Sequence, residues 1–176
     1  KEPDWEGKKN GRSPESVINT LILHMSRYAK TYSKSAIYDS DFSTQEEFIY
    51  LINLKYFGPM TKMELIKKNI QDKPTGMQII NRLIQQRWVK QQNSTTDKRS
   101  KIIKITLKGL SVLAHQMNKI RRATKIVAGD LTYQEKMELI RLLNKLDRFH
   151  HSIFSKNIDS SELLERVASE YLPAKN

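Results

Sequence analysis

Residues 61–106 read TKMELIKKNIQDKPTGMQIINRLIQQRWVKQQNSTTDKRSKIIKIT, and three local patterns follow one another along them. A short amphipathic helix, TKMELIKKNI, comes first, with Thr61 and Glu64 at capping-box spacing. After a tight turn a second helix spans residues 73–86. Asp72 stands at its N-cap and Pro74 in its first turn, where a missing N–H costs nothing. Two strands, WVKQQ and KIIKIT, then flank the polar tip NSTTDKRS, with Trp88, Ile103 and Ile105 as inward anchors. Helix, turn, helix and a β-hairpin wing in this order make a shape that grips duplex DNA.

In the second helix Met77, Ile80, Leu83 and Ile84 recur at helical spacing and point inward. Thr75, Gly76, Gln78, Asn81 and Arg82 lie off that stripe as short or polar groups within reach of bases and phosphates. A glycine so early in a helix costs about 1 kcal/mol relative to alanine, and a close approach of backbone to DNA would account for Gly76. The tip carries Asp97, Lys98 and Arg99. With Lys73 and Arg82 beside it, this is an electrostatic footprint for phosphate. An arginine there can also enter a narrow minor groove. Lys62, Lys67 and Lys68 on the first helix could touch phosphates, though a solvated helix face would carry the same residues.

The run from Asp72 through Asp97-Lys98-Arg99 and KITLKG to Gly109 resembles the MarR family of bacterial regulators (multiple-antibiotic-resistance regulators). The family pattern is an Asp-x-Arg wing, a strand, then Leu-Thr-x-x-Gly opening a long helix. Here it stands as Ile105-Thr106-Leu107-Lys108-Gly109, with Ile for the usual Leu. The resemblance covers about residues 14–156. It implies a mainly α (α+β) fold, a winged helix-turn-helix with N- and C-terminal dimerisation helices. It also implies a homodimer on an inverted-repeat operator, its recognition helices about 34 Å apart, with repression expected over activation.

On that basis the DNA contacts fall to Lys62, Lys73, Pro74, Thr75, Gly76, Met77, Gln78, Asn81, Arg82, Asp97, Lys98 and Arg99. Met77 and Gln78 are the candidates for sequence-dependent contacts, Lys98 and Arg82 neutralise phosphate, and Asp97 holds the wing or orients Arg99. The resemblance further implies a small phenolic or aromatic acid in a crevice of the first, second and fifth helices. His24, Arg27, Tyr28 and Phe48 are the candidates there, with core packing an equal explanation of the aromatics.

The rest of the chain fits around this lobe. Residues 1–12 are polar, with Gly, Pro and Trp5, and read as a flexible arm. Residues 13–40 hold the N-terminal dimerisation helix, opened by Ser13-Pro14 and striped with Ile18, Leu21, Ile22, Met25, Tyr28 and Tyr32. The DNA-binding lobe takes residues 41–108. Its first helix opens with a capping box from Ser43 to Glu46 and carries Phe48, Tyr50, Tyr56 and Phe57 as core. Residues 109–156 supply two long helices, broken at Gly129-Asp130 and restarted by a capping box from Thr132 to Glu135. The first has Leu110, Leu113, Met117, Ile120 and Ile126 on one side and Arg121, Arg122 and Lys125 on another. The second bears Met137, Ile140, Leu143, Leu146, Phe149 and Ile153, more apolar surface than one small winged helix covers. A second copy of the chain is the simplest cover, and Ile18, Leu21, Ile22, Leu143, Leu146, Phe149 and Ile153 are its expected contacts. Residues 157–176 add a short amphipathic helix that departs from the family pattern.

The chain has 176 residues and a net charge of +12, with a pI near 9.8. Such a balance points to an anionic partner, nucleic acid or a membrane surface. No apolar run approaches the ~20 residues that span a bilayer, and no signal peptide is visible. The absence of cysteine excludes disulfides, thiol sensing and Cys-zinc sites, and a cytoplasmic protein is expected. Of the four histidines, His24, His115, His150 and His151, the last two are adjacent and point about 100° apart on a helix, and no His/Glu pair stands at i, i+3 or i, i+4 spacing. No Gly-rich phosphate loop or nucleophile elbow is present. The reading is therefore not an enzyme, with no cofactor and no metal. A winged-helix protein-interaction module without DNA binding is the alternative. A basic amphipathic protein on membranes is the third reading, and it lacks an adequate apolar face.

Overall fold

The computed structural model describes residues 1–97 and 99–173. The chain divides into two compact units, 1–129 and 130–176. In the first, α1 (Pro14–Ala36) and α2 (Gln45–Phe57) lead into β1 (Met60–Thr61), α3 (Lys62–Lys68) and α4 (Lys73–Gln85). Then come β2 (Val89–Asn93), β3 (Lys101–Ile105) and α5 (Leu107–Ala128). The second holds α6 (Tyr133–Phe154) and α7 (Ser160–Glu170). The expected segment 109–156 is thus divided between its two helices. Leu113, Gln116, Ile120 and Ala123 of α5 are buried, and α5 packs along α1. Among the described residues no helix is long and apolar enough to cross a membrane.

Helix ends follow local chemistry. Ser13, Thr61, Asp72, Thr106 and Thr132 each accept a backbone N–H three residues on, satisfying a donor that the first turn leaves free. The box expected at Ser43 is shifted by one residue. Thr44 is the N-cap of α2, and the carboxylate that reaches back belongs to Glu47, not Glu46. Residues 1–12 are compact, not extended: the Trp5 indole N–H donates to the Arg12 carbonyl at 2.9 Å, and Arg12 donates to Thr20 Oγ1 at 2.8 Å.

The sheet is antiparallel in the order β1-β3-β2, with Met60 opposite Ile103 and Val89 opposite Ile105. Its inner face joins Leu51, Leu54, Leu65, Ile66, Ile80, Leu83 and Trp88 in one core. Phe42 packs against Trp88 at 5.0 Å with the rings tilted by 59°, and meets Phe48 edge-on at 6.0 Å. The core stops at Leu54. Tyr56 and Phe57, expected inside, are exposed, with Lys55 and Lys68 ammonium groups over their rings at 5.3 and 3.9 Å.

The root of the wing is closely packed and held by three hydrogen bonds of Thr106. Thr106 N–H donates to the Trp88 carbonyl at 2.9 Å, and its hydroxyl donates to the Arg87 carbonyl at 2.7 Å. The same hydroxyl accepts from Gly109 N–H at 3.0 Å. A Cβ on Gly109 would collide with the Trp88 carbonyl oxygen and stand 2.8 Å from Ile105 Cγ1. Backbone cannot rotate out of the way as a side chain can, so Gly109→Ala is expected to destabilise by about 3 kcal/mol. The midpoint of urea unfolding checks this, and an unchanged midpoint would refute it.

Candidate nucleic-acid interface

The candidate face is built from α4 and the wing. Asp72 caps α4 through both oxygens, accepting from Thr75 N–H and from the Thr75 hydroxyl at 2.9 Å each. These bonds, backbone first, hold the Asp72 carboxyl below its ordinary range. The turn before it is fastened to α2. The Tyr50 hydroxyl donates to Gln71 Oε1, and Asn69 Nδ2 donates to Asn53 Oδ1 at 2.8 Å. Burial, then the Glu46 and Asp72 charges, push the Tyr50 phenol up to about 12, so it remains a donor at every physiological pH.

Lys73, Pro74, Thr75, Gln78, Asn81 and Arg82 stand on the exposed side of α4, and Lys62 is half-buried at the start of α3. Two expected contacts turn inward. Met77 packs against the core. Gly76 is buried, and a Cβ there would stand 2.7 Å from Ile66 Cγ2. The missing side chain lets α4 lie close on α3; an approach of its backbone to DNA is not the reason for the glycine. Arg82 does not stand free either. Its Nη2 lies 3.5 Å from Glu47 Oε1.

At the wing tip Asp97 holds the turn. Its carboxylate accepts from Arg99 N–H and from the Ser100 hydroxyl, each at 2.9 Å, while Ser94 Oγ accepts the N–H groups of Thr96 and Asp97 at 3.2 Å. Arg99 is exposed. Lys98 lies outside the described residues. The Asp97 bonds fix the backbone on which Arg99 is carried, the first of the two roles expected of this residue.

Of the residues expected to hold a small acid, His24, Arg27 and Tyr28 are exposed on α1, and Phe48 is core. A cleft of about 240 Å³ instead lies between α1 and α5, lined by Tyr32, Ser35, Ala36, Lys119, Arg122, Ala123 and Ile126. Of the basic cluster read from the sequence of α5, only Arg122 lines this cleft; its pairing with Lys119, Tyr32 and Ser35 depends on how the two helices pack. Among the expected dimer contacts, Ile18, Leu21, Ile22, Leu143 and Leu146 are 40–50 % exposed. Phe149 is covered in part, meeting Tyr171 of α7 edge-on at 6.4 Å, and Ile153 is buried.

Residues 40–100 match the sequence model of the MarR family. The HTH-type transcriptional repressor NicR of Pseudomonas putida is 28% identical over 103 residues, 58% of this chain. The match spans 65% of NicR, just under two thirds of its length. Bordetella bronchiseptica BpsR, in a structure on regulation of its DNA binding by 6-hydroxynicotinic acid, superposes with a TM-score of 0.68 at 20% identity, over 74% of this chain and 98% of BpsR. A point mutant of E. coli MarR, solved in complex with operator DNA, gives 0.67 at 22% identity, over 73% of this chain and 92% of that one. At these identities the structural likeness is one of fold.

The bonds to the Asp97 carboxylate, Arg99 N–H first, lower its pKa. A lowered folded pKa means that the tip is held above the ordinary aspartate range, about 3.9, and is released as pH falls through the lower folded value. The Arg99 amide resonance should therefore titrate with a midpoint below that of an unperturbed aspartate. A midpoint at or above it would show that the carboxylate does not hold the turn.

Proposed function

We propose that this chain, whose residues 40–100 match the MarR family model, is a homodimeric, sequence-specific repressor binding an inverted-repeat operator in duplex DNA. The family's members are transcriptional regulators, not enzymes. One observation carries the reading: an exposed polar helix face and a wing tip pinned by its own aspartate sit on one lobe of a chain with net charge +12. The helix enters the major groove with Gln78 and Asn81 toward base edges. Arg99 enters the neighbouring minor groove. Lys62, Lys73 and Arg82 serve the backbone.

The half-exposed stripes of α1 and α6 supply the dimer contacts, with Ile18, Leu21, Ile22, Leu143 and Leu146 at their centre. Binding to a duplex selected from a random pool tests the whole reading. Two chains per duplex are expected, with affinity falling steeply in salt and a scrambled duplex bound far more weakly. Arg99→Ala should weaken binding at least tenfold, about 1.4 kcal/mol, with thermal unfolding unchanged. Equal affinity for both duplexes, or one chain per duplex, sinks this reading.

Ligand response is the second part of the proposal. The cleft between α1 and α5 is below the usual size of drug-like pockets and fits one ring. Arg122 and Lys119 provide cations for a carboxylate, and Tyr32 and Ser35 provide hydroxyls. A bound acid acts only through a difference in affinity between DNA-competent and DNA-incompetent spacings of the lobes. With 6-hydroxynicotinic acid as the probe, release of the duplex is expected, and Arg122→Ala should abolish it without altering DNA affinity in the probe's absence. Release that survives this substitution would place the ligand elsewhere.

A further inference from the structure

Among the described residues one charged side chain is buried, Glu47 at 1 % exposure. Its Oε1 accepts Ser43 N–H at 2.7 Å and Thr44 N–H at 2.9 Å. Those two bonds complete the start of α2, yet they leave a full negative charge out of water. A buried carboxylate with no counter-charge is costly. The counter-charge is Arg82, 35 residues along, whose Nη2 lies 3.5 Å away while its side chain stays 45% exposed.

Arg82 belongs to the last turn of α4. A guanidinium carries five N–H donors in a rigid fork. Glu47 meets the fork at Nη2, and the exposed remainder is open to a second anion. A lysine offers its three donors from a single nitrogen, so it lacks the rigid spread of the fork between the two partners.

We infer that Glu47 is a positioning residue for DNA binding: it holds the Arg82 guanidinium at the end of α4 so that the outer N–H groups meet a backbone phosphate. The inference rests on the DNA-binding reading above. An arginine loses much rotamer freedom when it contacts a phosphate, and holding it beforehand removes part of that loss. The opposing effect is that a carboxylate offsets the positive charge the phosphate meets. Positioning outweighs it here because the Glu47 charge is shared with two backbone N–H groups inside the fold, whereas Arg82 faces solvent.

The test is a double-mutant cycle on the whole chain with Glu47→Gln, Arg82→Gln and both together. Each variant's Kd for the selected duplex is measured across a salt series beside its thermal unfolding. Glutamine keeps an oxygen for the Ser43 and Thr44 N–H groups, so the start of α2 is retained. Arg82→Gln should weaken binding about tenfold and lower the salt slope by about one. Glu47→Gln should reproduce most of the loss in affinity, and the pair should bind no worse than Arg82→Gln alone. Tighter or unchanged binding by Glu47→Gln, or losses that multiply in the pair, would overturn the inference. If Glu47→Gln does not fold, Arg82→Lys decides. Weaker binding at an unchanged salt slope supports positioning, and wild-type affinity overturns it. A wild-type chain without salt-dependent, sequence-specific binding would instead remove the DNA-binding reading itself.

Discussion

The lobe depends on the meeting of Thr106, Gly109, Arg87 and Trp88. One hydroxyl, on Thr106, both donates to the Arg87 carbonyl and accepts from Gly109 N–H. The strand returning from the wing, the segment leaving α4 and the first turn of α5 are thereby fixed at a single point. Arg87 lies in the left-handed region at φ 62°, a cost for a residue with a side chain. Its carbonyl bond to Thr106, and the bond from Trp88 N–H to the Leu83 carbonyl at 3.1 Å, hold that turn in place. Trp88 then lies buried at the centre of the core. Rotating α5 would break the root of the wing, so the orientation of the wing is set from behind.

A second close approach sets α4. Gly76 lies on Ile66, and the turn between α3 and α4 is tied to α2 through Tyr50–Gln71 and Asn69–Asn53. Both constraints work on backbone position, not on exposed side chains. The exposed face of α4 can therefore vary in sequence without altering the scaffold, as the proposed reading of DNA requires. The two glycines have the same physical reason: in each case a neighbour occupies the space of a Cβ.

Periodicity and caps were enough to place the seven α-helices among the described residues, because the apolar stripes and capping residues are local signals, whereas the 3-10 turn at Lys8–Asn10 carries neither. The misreadings are non-local. Ser43–Glu46 and Thr44–Glu47 both have capping-box spacing, and only the burial of Glu47 decides between them. Gly76 carried a true signal, an unfavourable residue in a helix, but its partner Ile66 belongs to another element. Tyr56 and Phe57 continue the aromatic run of α2 past the point where the core ends, which nothing local announces. Gln116, buried and donating to the Ala36 carbonyl at 2.7 Å, is a polar residue on the inner face of α5, and no local pattern marks it. Of the candidate interface, the exposed face of α4 and the hold of Asp97 on the wing were legible; the Glu47 partner of Arg82 and the α1–α5 cleft were not.

The proposed dimer follows from the same accounting of surfaces. On α1 and α6, Ile18, Leu21, Ile22, Leu143 and Leu146 each keep 40–50 % of their area in water. Covering the rest of such a side chain contributes on the order of 1 kcal/mol. Two copies bring ten of these side chains, which is comparable with the several kcal/mol that association costs. Duplex binding raises the stakes further. One lobe offers a single helix face and a single wing, whereas a linked pair makes the second contact intramolecular and so at high effective concentration. In the proposed dimer, the same apolar stripes that leave the single chain incompletely buried would thus convert two weak grips on a charged polymer into one selective grip.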